Sequence, residues 1–165
     1  MNEPLIEVEL SMIPKVDLEP GLTDEELLAS VTVAGGIEVP DARFKEWFPA
    51  LDKYLVVADC AVGGYIIHGT PVDGTKLTVE DLNRIHVDLF RDGELVKSGD
   101  STEVLDNPIH ALKWLVETLA KRGRKLLAGQ VVSTGTFFVP PHLGKGEYVA
   151  RCSGAIAEDV KLSVK

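Results

Sequence analysis

Alternating apolar and polar residues near the start of the chain predict a β-strand over residues 5–13. In "PLIEVELSMI" the alternation sends the aliphatic side chains to one face and places Glu7 and Glu9 together on the other. Two like charges about 7 Å apart on one strand face repel each other unless water or a cation lies between them. The strand therefore has either an ordinary solvated face or half of a metal site.

Capping residues predict a first helix after this strand. Thr23 is followed by three acidic residues at the spacing of a capping box. The helix is predicted to run to about Ala34 and to end at Gly35-Gly36, because glycine favours the left-handed conformation that closes helices. The next segment, "GIEVPDARF", predicts a short strand that Pro40 breaks.

One segment in the middle of the chain fits two alternatives. In "FPALDKYLVVADCAVGG", Pro49 suits the first turn of a helix, and the apolar residues after it keep helical spacing. The same segment contains "KYLVVA", an apolar run that also fits a strand. A buried strand in "GGYIIHG" and a turn at Asp73-Gly74 are predicted to follow.

The clearest patterns lie in the second half of the chain. "IHVDLFRDGELV" alternates on both sides of Asp92-Gly93 and predicts a β-hairpin. Asn107-Pro108 opens a helix with an apolar stripe, and Gly123 closes it. Three short strand runs complete the chain. Together the elements predict a single domain over residues 1–165 that is mostly β, with two or three helices.

Charge and composition exclude several classes of partner. The 17 Lys and Arg residues against 26 Asp and Glu residues give a formal charge of −9, which repels phosphate backbones and anionic membranes. No apolar run approaches the length of a membrane span, and the acidic start lacks the features of a signal peptide. Cys60 and Cys152 make no disulfide framework. A cytoplasmic protein with no nucleic-acid or membrane partner is predicted.

Four segments carry a common pattern over nearly the whole chain: "IEVEL", "IEVPDARF", "VVADCAVGGYIIHG" and "GRKLLAGQVVSTGTF". In order and spacing they resemble the E-x-E strand, the third-ligand segment, the A-D-N-A-S segment and the G-x-x-L-x-A-G-x-x-x-x-T-G segment of the fumarylacetoacetate hydrolase superfamily. The resemblance is to its branch of 2-keto-4-pentenoate hydratases and 4-oxalocrotonate decarboxylases. It implies an α+β fold, a β-rich mixed-sheet roll curled around a central site.

The resemblance also implies a metal site and a reaction class. Glu7, Glu9 and Glu38 are the implied ligands of Mg²⁺ (or Mn²⁺), a hard cation that prefers oxygen. The metal would chelate a small 2-keto or 2-hydroxydienoic acid and stabilise its enolate, as in a lyase of the hydratase or decarboxylase type. Six further residues are implied around it: Asp59 and Arg43 as catalytic residues, and Cys60, Val62, Thr134 and Gly135 as substrate-binding residues. Lys53 is a further candidate catalytic acid or base, because it is the only lysine near the Ala58-Asp59 segment.

Departures from the family pattern support an alternative. Cys60 and Val62 replace the Asn and Ser of A-D-N-A-S, Ala42 replaces a Ser, and the N-terminal region that precedes the E-x-E strand in the family is expected to be absent. The alternative is a protein repurposed away from hydration, either a cyclisation catalyst for a bulkier apolar natural product or a non-catalytic binding subunit. A homo-oligomer is expected under both hypotheses, because a short β-rich chain exposes apolar strand surface.

Overall fold

The computed structural model describes all residues, Met1–Lys165, and contains nine strands and four α-helices. The strands are β1 (Glu7–Pro14), β2 (Val31–Val39), β3 (Tyr65–His68), β4 (Val72–Asp73), β5 (His86–Arg91), β6 (Glu94–Asp100), β7 (Val132–Ser133), β8 (Gly146–Ser153) and β9 (Glu158–Val164). The helices are α1 (Asp24–Ala29), α2 (Lys53–Ala58), α3 (Val79–Leu82) and α4 (Pro108–Lys121). The predicted β-rich α+β class is confirmed, but the sheets are antiparallel and not mixed, because every strand pair is antiparallel. The short helix α3 is additional to the two or three helices predicted.

Two sheets enclose one large core. The first has the order β3–β2–β1–β7, with β4 beside β2, and the second has the order β6–β5–β8–β9. A cluster of 27 buried apolar residues joins both sheets to α1 and α4. Val33 of β2, Leu89 of β5, Val160 of β9 and Leu112 of α4 all belong to it. The first sheet therefore has one face fixed against this core.

β1 and β2 form the ladder on which the acidic residues lie. Eight residue pairs run from Glu7 opposite Glu38 to Pro14 opposite Val31. Residues directly opposite each other in an antiparallel pair project from the same face of the sheet. The alternation of β1 buries Val8 completely in the core, as predicted, and turns the glutamates away from it.

The first helix is shorter than predicted, and the strand after it is longer. The capping box at Thr23 is present, but α1 ends at Ala29. The predicted end at Gly35-Gly36 is wrong, because these glycines lie inside β2. A Cβ at Gly36 would lie 2.5 Å from Ser11 Oγ, and one at Gly35 would lie 2.6 Å from Cys152 Sγ. The glycines mark close packing against neighbouring strands and do not end a helix.

The ambiguous middle segment folds as a helix, although not from the predicted start. Asp52 caps α2 through the backbone N–H of Tyr54, so Pro49 precedes the helix. The strand predicted in "GGYIIHG" exists as β3, but its predicted burial is wrong. Tyr65 and Ile66 are 65% and 41% exposed, since β3 is an edge strand.

We expect this exposed apolar surface to mediate self-association. Tyr54 and Val57 of α2 lie close in sequence to Tyr65 of β3, and all three are more than 60% exposed. Exposed apolar side chains beside an open sheet edge favour pairing with another copy. Sedimentation at micromolar concentration should give a mass above the 17.9 kDa of one chain. Val57→Lys combined with Tyr65→Lys should lower that mass, whereas Leu95→Lys, on the exposed edge strand β6, should not. A wild-type monomer would contradict this expectation.

The remaining elements follow their sequence patterns. β5 and β6 form the predicted hairpin, and Asp92 and Gly93 adopt the positive φ values of its turn. Asn107 caps α4, with Pro108 in its first turn, and Gly123 follows the helix with φ +67°. The three predicted C-terminal strand runs are β7, β8 and β9. None of the helices is long and apolar enough to cross a membrane.

Candidate metal centre

Three carboxylates converge on the outer face of the β1–β2 ladder. Carboxylate oxygens of Glu7, Glu9 and Glu38 all lie within 4.8 Å of one another. Glu7 and Glu38 are direct ladder partners, and Glu9 is two residues further along the same face. Ligand oxygens at roughly 2.0–2.6 Å from one ion are at most about 5 Å apart. The three side chains are therefore close enough to bind one cation.

The electrostatics of this cluster also favour a cation. Glu9 is 1% exposed, and no lysine, arginine or histidine forms an ion pair with any of the three carboxylates. Burial, reinforced by the charges of Glu9 and Glu38, raises the pKa of Glu7 to about 8. Burial also raises the pKa of Glu9. Both shifts reflect crowded carboxylates with no positive charge to balance them, and a divalent cation would supply that charge.

One of the three carboxylates, that of Glu9, is held in place by hydrogen bonds from the loop after β7. The Ser133 hydroxyl and the Gly135 backbone N–H donate to the same oxygen of Glu9, at 2.5 Å and 2.7 Å. The hydroxyl and the N–H of Thr134 both donate to the Leu10 carbonyl, which fastens the loop to β1. The other oxygen of Glu9 stays available to a metal. An oxygen-only donor set with an oriented ligand fits a hard cation such as Mg²⁺.

No role for Ser133 was predicted from the sequence, although its hydroxyl contacts Glu9. Its contact with Glu9 spans 124 positions of the chain and depends on the pairing of Ser133 with Ser11 in β7 and β1. No local spacing contains that information. The Thr134 and Gly135 backbone was implicated by resemblance, and the structure places it directly beside Glu9.

Arg43 and Asp59 form a separate network of hydrogen bonds and one ion pair. Arg43 Nε lies 3.1 Å from Asp59, and the backbone N–H of Arg43 donates to the same carboxylate. The guanidinium also donates to the carbonyls of Asp41 and Gly63. These bonds tie the loop after β2 to the end of α2. No hydrogen bond or ion pair joins this network to the three glutamates.

The other implied residues lie around the same loops. Val62 is 9% exposed and packs with Leu5, Ala42 and Trp47 in a small second core. The apolar residues at positions 42 and 62 thus fill a packed cluster. Cys60 is exposed, and Cys60, Ala61 and Val62 all have φ between +53° and +55°, a conformation that costs energy for residues with a Cβ.

Asp41 and Lys53 lie in the part of the chain that follows β2, in a loop and at the start of α2. The Nζ atom of Lys53 lies 5.3 Å from the ring centre of Tyr54 and contacts no acid. Asp41, which the sequence analysis quoted only as part of a motif, accepts hydrogen bonds from the backbone N–H groups of Asn2 and Glu3 at 2.5 Å and 2.8 Å. Asp41 therefore anchors the start of the chain, just before strand β1.

No protein-family model matches the chain. It is 31% identical over 136 residues to the 2-keto-4-pentenoate hydratase of Paraburkholderia phymatum, a match that covers 81% of this chain and 50% of the relative. It is 32% identical over 134 residues to the 4-oxalocrotonate decarboxylase of Pseudomonas putida, covering 80% of this chain and 49% of the relative. The chain thus spans about half the length of the curated relatives that it matches.

Solved structures show the same relationship in three dimensions. The 4-oxalocrotonate decarboxylase from Pseudomonas putida G7, complexed with magnesium and adipate, superimposes with a TM-score of 0.84 at 27% identity, covering 96% of this chain and 59% of that one. A putative fumarylacetoacetate isomerase/hydrolase from Oleispira antarctica shares the fold, with a TM-score of 0.76 at 15% identity, covering 99% of this chain and 72% of that one. The chain is therefore related in sequence to 2-keto-4-pentenoate hydratases and 4-oxalocrotonate decarboxylases over about half of their length, and it has the fold of a structure named as a putative fumarylacetoacetate isomerase/hydrolase.

Proposed function

We propose that this chain carries the metal site of a lyase, of the hydratase or decarboxylase type, that acts on a small 2-keto or 2-hydroxydienoic acid. The convergence of Glu7, Glu9 and Glu38 within 4.8 Å carries the proposal. The names of the relatives support the reaction class. The structural neighbours complexed with magnesium and with calcium support a divalent cation.

The three glutamates would hold Mg²⁺ (or Mn²⁺) through carboxylate oxygens. When bound, the ion supplies Lewis acidity at the carboxylate and 2-oxo oxygens of the substrate, which stabilises an enolate. Ser133 and Gly135 keep Glu9 in the ligating orientation. The burial of Glu9 excludes bulk water from the inner side of the site, which strengthens electrostatic interactions there.

The observations that support the other proposed site residues differ from residue to residue. The backbone of Thr134 and Gly135 lies beside Glu9, and we propose that it contacts the substrate. Arg43 and Asp59 would shape the site indirectly, because their bonds fix the loops that follow β2 and α2. The contact of Lys53 with the Tyr54 ring adds nothing to its proposed acid–base role. Cys60 and Val62 remain proposed substrate-binding residues, and their positions add no support to this role.

The alternative of a repurposed cyclisation catalyst or binding subunit gains no support from the comparisons. The relatives of this chain are named as hydratases and decarboxylases. The three carboxylates and the hydrogen bonds that orient Glu9 are all in place. We therefore retain the metal-dependent lyase as the single candidate.

Enolate formation provides a test that does not require the natural substrate. We expect the protein with Mg²⁺ to speed exchange of the C3 protons of 2-oxopentanoate with D₂O, followed by NMR, by about 100-fold or more over Mg²⁺ alone. Addition of EDTA should abolish the exchange. Calorimetry should give one Mg²⁺ site in the same protein. Failure of Mg²⁺ to bind would overturn the proposal, whatever the exchange rate.

A further inference from the structure

A histidine lies on the same face of the sheet as the three glutamates. Gly36 of β2 is the partner of Glu9 in β1 on one side and of His68 in β3 on the other. Both pairings are antiparallel, and residues directly opposite each other project from one face. Glu9, Gly36 and His68 therefore form one row across three strands, on the face that carries the carboxylates.

Contacts on the opposite face support this orientation and hold the strands in place. Gly35 and Gly69, the chain neighbours of the last two residues of the row, both face Glu158 of β9. A Cβ at either glycine would lie within 3.2 Å of the Glu158 carboxylate. The Gly35 and Thr70 N–H groups donate to the same carboxylate, both at 2.7 Å. Side chains alternate along a strand, so the exposed side chain of His68 projects to the outer face.

No bulky side chain of this row separates His68 from the carboxylates. Gly36 has none, and the atoms nearest to the position of its missing Cβ belong to the small residue Ser11. The Cα atoms of Glu9 and His68 lie about 10 Å apart, twice the spacing of neighbouring strands. Glu38 is closer, because it is a diagonal neighbour of His68 at about 7–8 Å. A small molecule bound at the carboxylates would therefore lie within reach of the His68 ring.

One ring nitrogen of His68 is free to accept a proton. Nδ1 lies 2.9 Å from the Gly69 carbonyl oxygen, which can only accept a hydrogen bond, so Nδ1 carries the hydrogen of this contact. In the neutral ring, Nε2 is then the unprotonated nitrogen. No acid forms an ion pair with His68. A ring that is oriented through Nδ1 and has a free Nε2 is suited to act as a general base.

We propose that His68 is a catalytic residue of this site and that its Nε2 takes the C3 proton of the bound 2-keto acid. The C3–H bond breaks, its electron pair forms the C2=C3 double bond, and a pair of the C2=O bond moves onto the oxygen. The exposed ring exchanges the proton with solvent, so deuterium returns to C3 in D₂O. The inference rests on the proposed function, because it needs the 2-keto acid to bind at the three glutamates.

Exchange of the C3 protons of 2-oxopentanoate in D₂O tests the assignment. With saturating Mg²⁺, His68→Ala should lower the exchange rate by about 100-fold or more. By calorimetry, this variant should match wild type in its affinity for Mg²⁺ and, once loaded with Mg²⁺, for oxalate. Added imidazole should raise its exchange rate by about tenfold or more above the protein-free rate, because imidazole can take the place of the missing ring. His110→Ala is the matched control and should keep the wild-type rate, since His110 is also exposed and its Nδ1 contacts the Leu105 carbonyl in the same way.

The binding measurements separate this inference from the proposed function. If Mg²⁺ binds but His68→Ala exchanges at the wild-type rate, or if imidazole restores nothing, His68 is not the base and the metal site stands. A loss of Mg²⁺ affinity in His68→Ala would also overturn the assignment, because the residue would then belong to the metal-binding group. If wild type binds no Mg²⁺, the proposed function is wrong, and the role of His68 falls with it.

Discussion

The Glu9→Gln variant is expected to bind Mg²⁺ more than about 100-fold more weakly than wild type, while its metal-free form melts at a higher temperature. The amide oxygen of glutamine can accept the hydrogen bonds of Ser133 and Gly135. Its NH₂ group, which is a donor, then points at Glu7 and Glu38 in place of a ligand oxygen. The same change removes one buried charge from a crowded cluster, which relieves desolvation and repulsion.

Calorimetry with Mg²⁺ and thermal melts in EDTA check the two halves of this expectation. A gain of about 1 kcal/mol in the free energy of unfolding corresponds to a rise in Tm of about 2–4 °C for a chain of this size. Glu94→Gln is the matched control, because it makes the same charge change at an exposed position of β6. Unchanged Mg²⁺ binding in Glu9→Gln would remove Glu9 from the ligand set. A lower Tm in EDTA would show that the carboxylate stabilises the metal-free fold.

The metal-free protein is expected to lose stability as the pH rises from about 5 to 8. Folding raises the pKa of Glu7 from 4.5 to about 8, so the folded protein holds a proton in this range that the unfolded chain has released. Stability falls with pH wherever the folded state binds more protons, by at most about 1.4 kcal/mol per pH unit for one group. Glu9, whose pKa is also raised, acts in the same direction.

Urea unfolding in EDTA at a series of pH values measures this slope. His86 contributes a loss of the same sign, because Asp100 raises its pKa. Comparison with Glu7→Gln therefore isolates the contribution of the glutamate, and that variant should have the shallower slope. Saturating Mg²⁺ should flatten the wild-type slope, because the ion binds the ionised carboxylates and its affinity rises with pH. Equal slopes in wild type and Glu7→Gln would contradict the raised pKa.

Sequence signals that depend on neighbouring residues predicted the fold well. The alternation of β1, the turn at Asp92-Gly93 and the capping residues Thr23 and Asn107 all describe contacts within a few positions. Such contacts form whatever the rest of the chain does, so the local pattern contains most of the information. The placement of Glu7 and Glu9 on one face of β1 is a prediction of this local kind, because alternation alone gives it.

The predictions that depend on distant residues, namely the end of the first helix and the burial of β3, were wrong. Gly35-Gly36 is compatible with a helix end and with a crowded strand, and the choice depends on the side chains of Ser11 and Cys152, which leave no room for a Cβ at either glycine. The exposure of β3 depends on whether a further strand covers its edge, and none does in this chain. The convergence of Glu38 on the other two carboxylates required the register of β2, which the sequence spacing did not contain.

The β1–β2 ladder has a consequence for how chains of this kind can change over generations. All three carboxylates depend on one pairing register, which sets Glu7 opposite Glu38. Insertion or loss of a single residue inside β2 would turn Glu38 to the other face of the sheet, into the apolar core. A change of length in the surface turn at residues 15–21, outside the ladder, leaves the register intact. Insertions and deletions among related chains should therefore accumulate in the turns and be absent from β1 and β2. We expect this even among relatives in which the residues around the three carboxylates have been replaced.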